Sequence, residues 1–146
     1  MLINDTKIRV RYKETDQMGI VHHSNYYTWF EVGRTEFMRS LGLTYRTMEE
    51  RGFMLPLTET YCQYKQGAKY DDVVIVRTKM TRFSGVRITM EYDVIREDDG
   101  KLLARGKTVH AITDKNLKPI NIAKHDKEIY QLFLKCVEKS ENKGEN

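Results

Sequence analysis

The chain lacks the features that mark membrane-spanning, secreted and metal-binding proteins. No apolar run approaches the roughly 20 residues that a transmembrane helix needs, and residues 1–7 lack the basic and then apolar order of a signal peptide. The two cysteines, Cys62 and Cys136, are too few for a disulfide-rich scaffold and form no Cys-x-x-Cys spacing. These absences predict a cytoplasmic protein with no stable membrane insertion.

Positive charge is in small excess and is dispersed. The chain has 25 Lys and Arg against 21 Asp and Glu, a formal net charge of +4, which favours an anionic partner weakly. A nucleic-acid-binding arm would concentrate its cations in one run, whereas these are mixed with acids along the predicted strands. Phosphate on a small ligand would suit this charge equally well, and we expect no nucleic-acid partner.

The length and apolar content fit one domain. A chain of 146 residues, 40% of them hydrophobic, can form one core but not two. We predict a single domain at residues 1–138 and a polar, frayed tail at 139–146.

A long, mostly buried helix is the clearest predicted element. Apolar residues recur at helical spacing over 26–41, His23 or Ser24 can cap the start, and Gly42 supplies the stop. The other predicted elements are strands at 7–13, 54–65, 73–82, 86–95 and 102–113, a short helix at 44–51 that ends at Gly52, and an amphipathic helix at 124–138.

This order of elements predicts an α+β fold in which a curved antiparallel β-sheet wraps around one long central α-helix, with a further C-terminal helix. The short turns between strands favour antiparallel neighbours. A helix of 18 residues is about 27 Å long and a strand of 12 residues about 40 Å, so the strands can bend around the helix. The open edge of such a sheet predicts a dimer that joins two sheets.

The segment that carries chemistry is RVRYKETDQMGIVHHSNY, residues 9–26. It places Asp16 in the turn between strand and helix, Gly19 after it, and His22 and His23 where the helix begins. A helix N-terminus presents unpaired backbone N–H groups that can polarise a carbonyl oxygen. Asp16 could attack that carbonyl to form a mixed anhydride, or take a proton from an attacking water. The sequence leaves both routes open.

The spacing of the fixed positions in this segment resembles a known signature. The positions are Arg9-Val10, Thr15-Asp16, Gly19, Val21, His23 and Tyr26. They look like the 4-hydroxybenzoyl-CoA thioesterase family, specifically its YbgC-type acyl-CoA thioesterase branch, and the resemblance extends over roughly residues 6–122. It implies a hotdog fold that is active as a homodimer or a dimer of dimers. It also implies hydrolysis of acyl-CoA without a cofactor, since coenzyme A is part of the substrate.

The resemblance assigns roles to three residues. Asp16 matches the catalytic acid, and the backbone N–H of His23 matches the donor that polarises the thioester carbonyl. Tyr12 and the His23 side chain match positions beside that acid. No metal is expected, because neither a Glu-x-x-His nor a His-x-x-x-His pair is present.

Arg82, Ser84 and Arg87 flank one predicted hairpin and are the candidates for binding the phosphates of coenzyme A. The alternative is a solvated hairpin tip. Elsewhere, His110 and His125 are expected to be structural.

Three other functions remain open from the sequence. A hotdog-type enoyl-CoA hydratase or dehydratase would use the same fold, and a non-catalytic acyl-CoA-binding regulator would bind without turnover. A basic nucleic-acid-binding domain is suggested by the charge alone.

Arg34 lies within the apolar arc of the long helix, where we expect a salt bridge to Glu31.

Overall fold

The computed structural model describes residues 1–138, so the predicted tail at 139–146 lies outside the described residues. The strands are β1 (Ile3–Arg9), β2 (Leu57–Tyr64), β3 (Val73–Phe83), β4 (Arg87–Arg96) and β5 (Leu102–Ala111). The helices are α1 (Ser24–Ser40), α2 (Tyr45–Glu50) and α3 (Lys127–Val137), with 3-10 turns at Tyr12–Glu14 and Ile122–Lys124.

One antiparallel sheet contains all five strands in the order β1-β3-β4-β5-β2. Helix α1 packs against β1, β3 and β4 and buries the residues predicted from its periodicity, among them Tyr26, Trp29, Phe30 and Phe37. The predicted fold class is thereby confirmed. None of the helices within residues 1–138 is long and apolar enough to cross a membrane.

Two glycines let the helix approach the sheet closely. A Cβ on Gly106 of β5 would lie 2.1 Å from Cζ of Phe30, and one on Gly33 of α1 would lie 2.6 Å from Oγ1 of Thr78. Both distances are shorter than real Cβ contacts. Larger residues at these two positions would therefore hold α1 farther from the sheet.

The first strand differs from its predicted range of 7–13. Strand β1 ends at Arg9, and Tyr12 and Lys13 belong to a 3-10 turn. The turn forms because the Glu14 side chain accepts a hydrogen bond from the backbone N–H of Arg11 at 2.7 Å. The strand also starts earlier, at Ile3. Asn4 and Thr6 continue its half-buried inner face, but both are polar, so the sequence shows no apolar alternation there.

The helix ends follow local capping chemistry. Gly42 has a φ of +75°, and Leu43 N–H bonds the carbonyl of Met38 at 3.2 Å, which closes the C-terminus of α1. Helix α3 begins at Lys127, later than the predicted 124, because the Asp126 side chain accepts the N–H of Ile129 at 3.1 Å.

A buried polar chain crosses the core where an ion pair was expected. Within residues 1–138, Arg34 forms no ion pair with Glu31, so that prediction was wrong. Instead Arg34 Nη1 lies 3.4 Å from the hydroxyl of Tyr92. The Tyr92 hydroxyl lies 2.6 Å from Oγ1 of Thr108, which lies 2.9 Å from Nε2 of His110. The Arg34 guanidinium therefore contacts Tyr92 of the sheet, on the inner side of α1, and not Glu31 of its own helix.

Candidate functional site

Residues 14–22, between the 3-10 turn and α1, form a small hairpin. His22 N–H donates to the carbonyl of Glu14 at 2.8 Å, and Asp16 N–H donates to the carbonyl of Ile20 at 2.9 Å. The turn then closes through Gly19 N–H and the Asp16 carbonyl at 2.9 Å, with Gly19 at a φ of +81°. Asp16 therefore stands at the first position of a tight turn, beside the start of α1.

Asp16 and His23 line one cavity of about 230 Å³ at the N-terminal end of α1. Further walls come from Ile20 and Val21 of the hairpin, Tyr26 of α1, Tyr64 at the end of β2 and residues 65–67 after it. Two residues predicted to act together therefore do share a cavity, although their roles stay predictions.

The carboxylate of Asp16 is held at one oxygen. Oδ1 accepts the N–H of Met18 at 2.9 Å, while Oδ2 has no hydrogen-bond partner among residues 1–138. The bond to Met18 orients the side chain, and the second oxygen keeps its lone pairs for a substrate or a water.

The first amides of α1 differ in whether they are occupied. Four of the five from residue 22 to 26 donate within the chain: His22 to the Glu14 carbonyl, Ser24 to Nδ1 of His22, Asn25 to the His22 carbonyl and Tyr26 to the His23 carbonyl. In the described part of the chain, the N–H of His23 has no acceptor. It is thus the amide available to a carbonyl oxygen in the cavity.

Aromatic rings form one side of the cavity. The ring centroid of Tyr64 lies 5.2 Å from that of Tyr26 and 6.3 Å from that of His23, both edge to face. The rings of His22 and His23 are 4.2 Å apart. Partial desolvation, followed by the neighbouring Cys62, raises the pKa of the half-exposed Tyr64 phenol above its ordinary value.

The loop after β2 is fixed against the hairpin. Val21 N–H donates to the carbonyl of Ala68 at 2.8 Å, and Arg96 Nη2 donates to the carbonyl of Gly67 at 3.0 Å. A Cβ on Gly67 would lie 2.7 Å from Cγ2 of Ile20. This wall leaves no signal in the sequence, because β2 and α1 meet only through the fold and residues 64–67 carry no local motif.

Tyr12 is not brought into the cavity of the single chain. Its side chain is 77% exposed and packs edge to face on Tyr70, with ring centroids 5.7 Å apart. Only its backbone serves the hairpin, since the Tyr12 carbonyl accepts the N–H and the hydroxyl of Thr15.

Arg82, Ser84 and Arg87 line a separate cavity of about 500 Å³ that also touches Val137 of α3. The strand register places this hairpin at the far end of the sheet: Ile88, which pairs with Phe83, is level with His110 and through it with Leu57. The Asp16 cavity lies at the other end of β2, at Tyr64, roughly 23 Å away along the strand. Within one chain the structure does not bring these cations to Asp16.

Glu14 is a buried carboxylate beside the site that sequence analysis did not select. It is 3% exposed. Burial alone would raise the pKa of Glu14, but hydrogen bonds from Arg11 and Trp29 and the charge of Arg11 outweigh burial and hold the pKa below its ordinary value. No His, Cys, Asp and Glu cluster of three or more within residues 1–138 is placed to hold a metal ion.

The chain is similar in sequence to proteins described as thioesterases and esterases. Residues 10–132 match the family described as the thioesterase-like superfamily. The chain is 36% identical to the putative acyl-CoA thioesterase YneP of Bacillus subtilis, over 85% of this chain and 90% of that protein. It is 40% identical to a putative esterase of Aquifex aeolicus, over 83% and 92%.

Solved structures of a thioesterase and of a hypothetical protein also superpose on the chain. The DHNA-CoA thioesterase from Staphylococcus aureus superposes with a TM-score of 0.86 at 33% identity, covering 92% of this chain and 91% of that one. A hypothetical protein from Thermus thermophilus superposes with a TM-score of 0.84 at 36% identity, covering 94% and 100%.

Proposed function

The chain belongs to the thioesterase-like superfamily, and from that premise we propose that it hydrolyses acyl-CoA thioesters to a carboxylic acid and coenzyme A. The observation that carries the mechanism is that one cavity is lined by both Asp16, whose Oδ2 has no hydrogen-bond partner within residues 1–138, and His23, whose N–H has no acceptor within the same range. A thioester needs such a pair, one group to deliver the nucleophile and one to receive the developing oxyanion.

The amide acts on the thioester oxygen. Placed on His23 N–H, the carbonyl oxygen gains negative charge as its carbon is attacked, and a donor already fixed by the start of α1 needs no reorganisation. Loss of one such donor costs about 3 to 4 kcal/mol of transition-state stabilisation. Collapse of the intermediate breaks the C–S bond, and the coenzyme A thiolate leaves and takes up a proton.

Asp16 has two routes to the same products. As a nucleophile, it forms an anhydride that water then hydrolyses; as a general base, it takes the proton of the attacking water. A single turnover in H₂¹⁸O tests the nucleophilic route, because only that route can give an unlabelled product. An anhydride opened by water at the Asp16 carbonyl gives a first product without label, whereas direct attack by water gives a labelled product.

The acyl group lies against aromatic walls in this proposal. Tyr26, Tyr64 and His23 line the cavity, and the Tyr64 ring packs edge to face with the other two rings, which forms an aromatic surface that suits a planar aromatic acyl group. The name of the Staphylococcus aureus relative, a DHNA-CoA thioesterase, supports testing aromatic CoA esters first.

We propose that the working form is a homodimer, or a dimer of dimers, joined through β2. This edge strand leaves Leu57, Tyr61 and Tyr64 about half exposed, a composition that favours pairing. Antiparallel pairing of β2 with its copy would bring the Tyr64 end of one chain to the Leu57 end of the other. Arg82, Ser84 and Arg87 of the second copy would then lie at the same end as Asp16.

A strand-breaking substitution in β2 tests the dimer. Thr60→Pro removes a backbone donor at the centre of the edge strand, and light scattering should show the wild type at twice the mass of this variant. A matched substitution on the other edge, Asp5→Pro in β1, should leave the mass of the wild type. A Thr60→Pro variant with the same mass as the wild type would rule out this edge.

We further propose a cytoplasmic location for this activity. Its support is that the described structure contains both cysteines as free thiols, Cys62 half-buried and Cys136 buried, as a reducing compartment allows.

A thiol-release assay tests the proposed function. Purified protein is given benzoyl-, naphthoyl-, hexanoyl- and palmitoyl-CoA and, separately, an enoyl-CoA, and release of free coenzyme A is followed with a thiol reagent. Turnover of at least one ester is expected. Tight binding without turnover would instead identify an acyl-CoA-binding regulator, and loss of enoyl-CoA absorbance without thiol release would identify a hydratase.

A further inference from the structure

The Glu14 side chain joins the Asp16 hairpin to the interior of the protein. Among residues 1–138 it is the one acidic side chain that is buried. Its Oε1 accepts the backbone N–H of Arg11 at 2.7 Å. Its Oε2 accepts Nη2 of Arg11 at 3.2 Å and Nε1 of buried Trp29, on α1, at 3.3 Å.

The backbone of the same residue holds the opposite leg of the hairpin. The Glu14 carbonyl accepts the N–H of His22 at 2.8 Å and Nδ2 of Asn25 at 3.0 Å. Asn25 Nδ2 also lies 3.2 Å from the His22 carbonyl. Glu14 therefore contacts the turn before Asp16, the residue before His23, and two points on α1.

Resting on the proposed function, we propose that Glu14 is a positioning residue that sets the Asp16 carboxylate opposite the His23 N–H. Asp16 follows Glu14 by two residues, and His23 follows the residue bonded to the Glu14 carbonyl. A shift of the 3-10 turn relative to α1 would move the two reacting groups apart. Misplacement by about 1 Å can cost about 100-fold in rate.

The negative charge serves this geometry. Both carboxylate oxygens face donors only, so a glutamine in its place would turn an NH₂ group toward the donors of Trp29 and Arg11. A buried ion pair is weak support for stability in itself, because apolar replacements of similar volume are often equally stable. A role in placing Asp16 explains why an acid stands here.

Two single substitutions test the role. Glu14→Gln keeps the volume and removes the second acceptor, and Trp29→Phe keeps an aromatic ring while it removes the indole donor and part of the buried ring volume. On the best ester of the assay, we expect kcat to fall about 10- to 100-fold for Glu14→Gln and less for Trp29→Phe, with KM changed by less than about twofold for both.

The matched control is Thr44→Ala. Thr44 caps α2 by accepting Thr47 N–H at 3.1 Å, at the other end of α1, so its loss should lower the melting temperature without lowering kcat. Wild-type kcat in both Glu14→Gln and Trp29→Phe would overturn the proposal. An equal fall of kcat in Thr44→Ala would also overturn it, because stability alone would then explain the effect.

A double-substitution cycle separates this inference from the proposed function. If Glu14 acts through Asp16, Glu14→Gln should change the residual rate of Asp16→Asn by less than about threefold. The same fold-loss in both backgrounds contradicts the positioning role while leaving the proposed function intact. A fully active Asp16→Asn contradicts the catalytic role of Asp16 and with it the positioning role of Glu14, whereas a wild-type protein that turns over no ester contradicts the proposed function itself.

Discussion

The amide nitrogen of His22 lies 2.8 Å from the carbonyl oxygen of Glu14, and this bond closes the hairpin that carries Asp16. It also occupies the amide that precedes His23 in sequence, whereas the His23 N–H has no acceptor in the described part of the chain. This local backbone contact fixes where the acid stands relative to the start of α1.

Acid should destabilise the protein through His110. Burial, helped by the charge of Arg34, lowers the pKa of His110 from 6.5 to about 4. The unfolded chain therefore binds a proton at this residue that the folded chain does not bind between those values. The free energy of unfolding should fall by about 2 kcal/mol from pH 7 to pH 5, measured by urea denaturation.

Two histidine variants check this assignment. His110→Gln removes the titrating group and should flatten the dependence between pH 7 and pH 5, even if the variant is less stable throughout. His125→Gln, at an exposed position, should keep the wild-type dependence. An unchanged pH dependence in His110→Gln would show that another group is responsible.

Two buried threonines should respond oppositely to the same substitution. Thr78 Oγ1 is buried without a hydrogen-bond partner among residues 1–138, so Thr78→Val should stabilise the protein by about 1 kcal/mol. Thr108 Oγ1 bonds Tyr92 and His110, so Thr108→Val should destabilise it by about 1 to 3 kcal/mol. Urea midpoints that move in the same direction for both variants would contradict the described hydrogen bonding.

Gly106→Ala should be strongly destabilising. The added Cβ would meet the Phe30 ring, which is stacked on Tyr92 with centroids 4.4 Å apart and cannot retreat. Overpacking of this kind costs about 1 to 3 kcal/mol, and sometimes more. Phe30→Leu in the same chain should recover part of the loss in thermal denaturation. A Gly106→Ala variant with wild-type stability would contradict the close approach of α1 to β5.

The sequence predicted the fold well because periodicity reports burial. Alternation over 86–95 located β4, helical spacing over 26–41 located α1, and Gly42, Thr44 and Gly52 marked the helix ends. The first strand was misplaced because its inner face uses Asn4 and Thr6, whose burial depends on the sheet around them.

The candidate site was predictable only where it is local. Asp16 and His23 belong to one contiguous segment, and the fold keeps them together. Tyr64 reaches them from β2, and the Trp29 bond to Glu14 spans 15 residues, so neither contact leaves a pattern in sequence. The distance of Arg82 and Arg87 from Asp16 is likewise a property of sheet register.

The most direct test of the account is the turnover number of Asp16→Asn in the thiol-release assay. Asparagine keeps an acceptor for Met18 N–H but can neither attack the thioester nor take a proton, so hydrolysis should fall at least about 100-fold. Gln17→Ala, at the exposed neighbouring position, should retain the wild-type rate. Asp16→Asn that turns over every ester as fast as the wild type would contradict the catalytic role of Asp16.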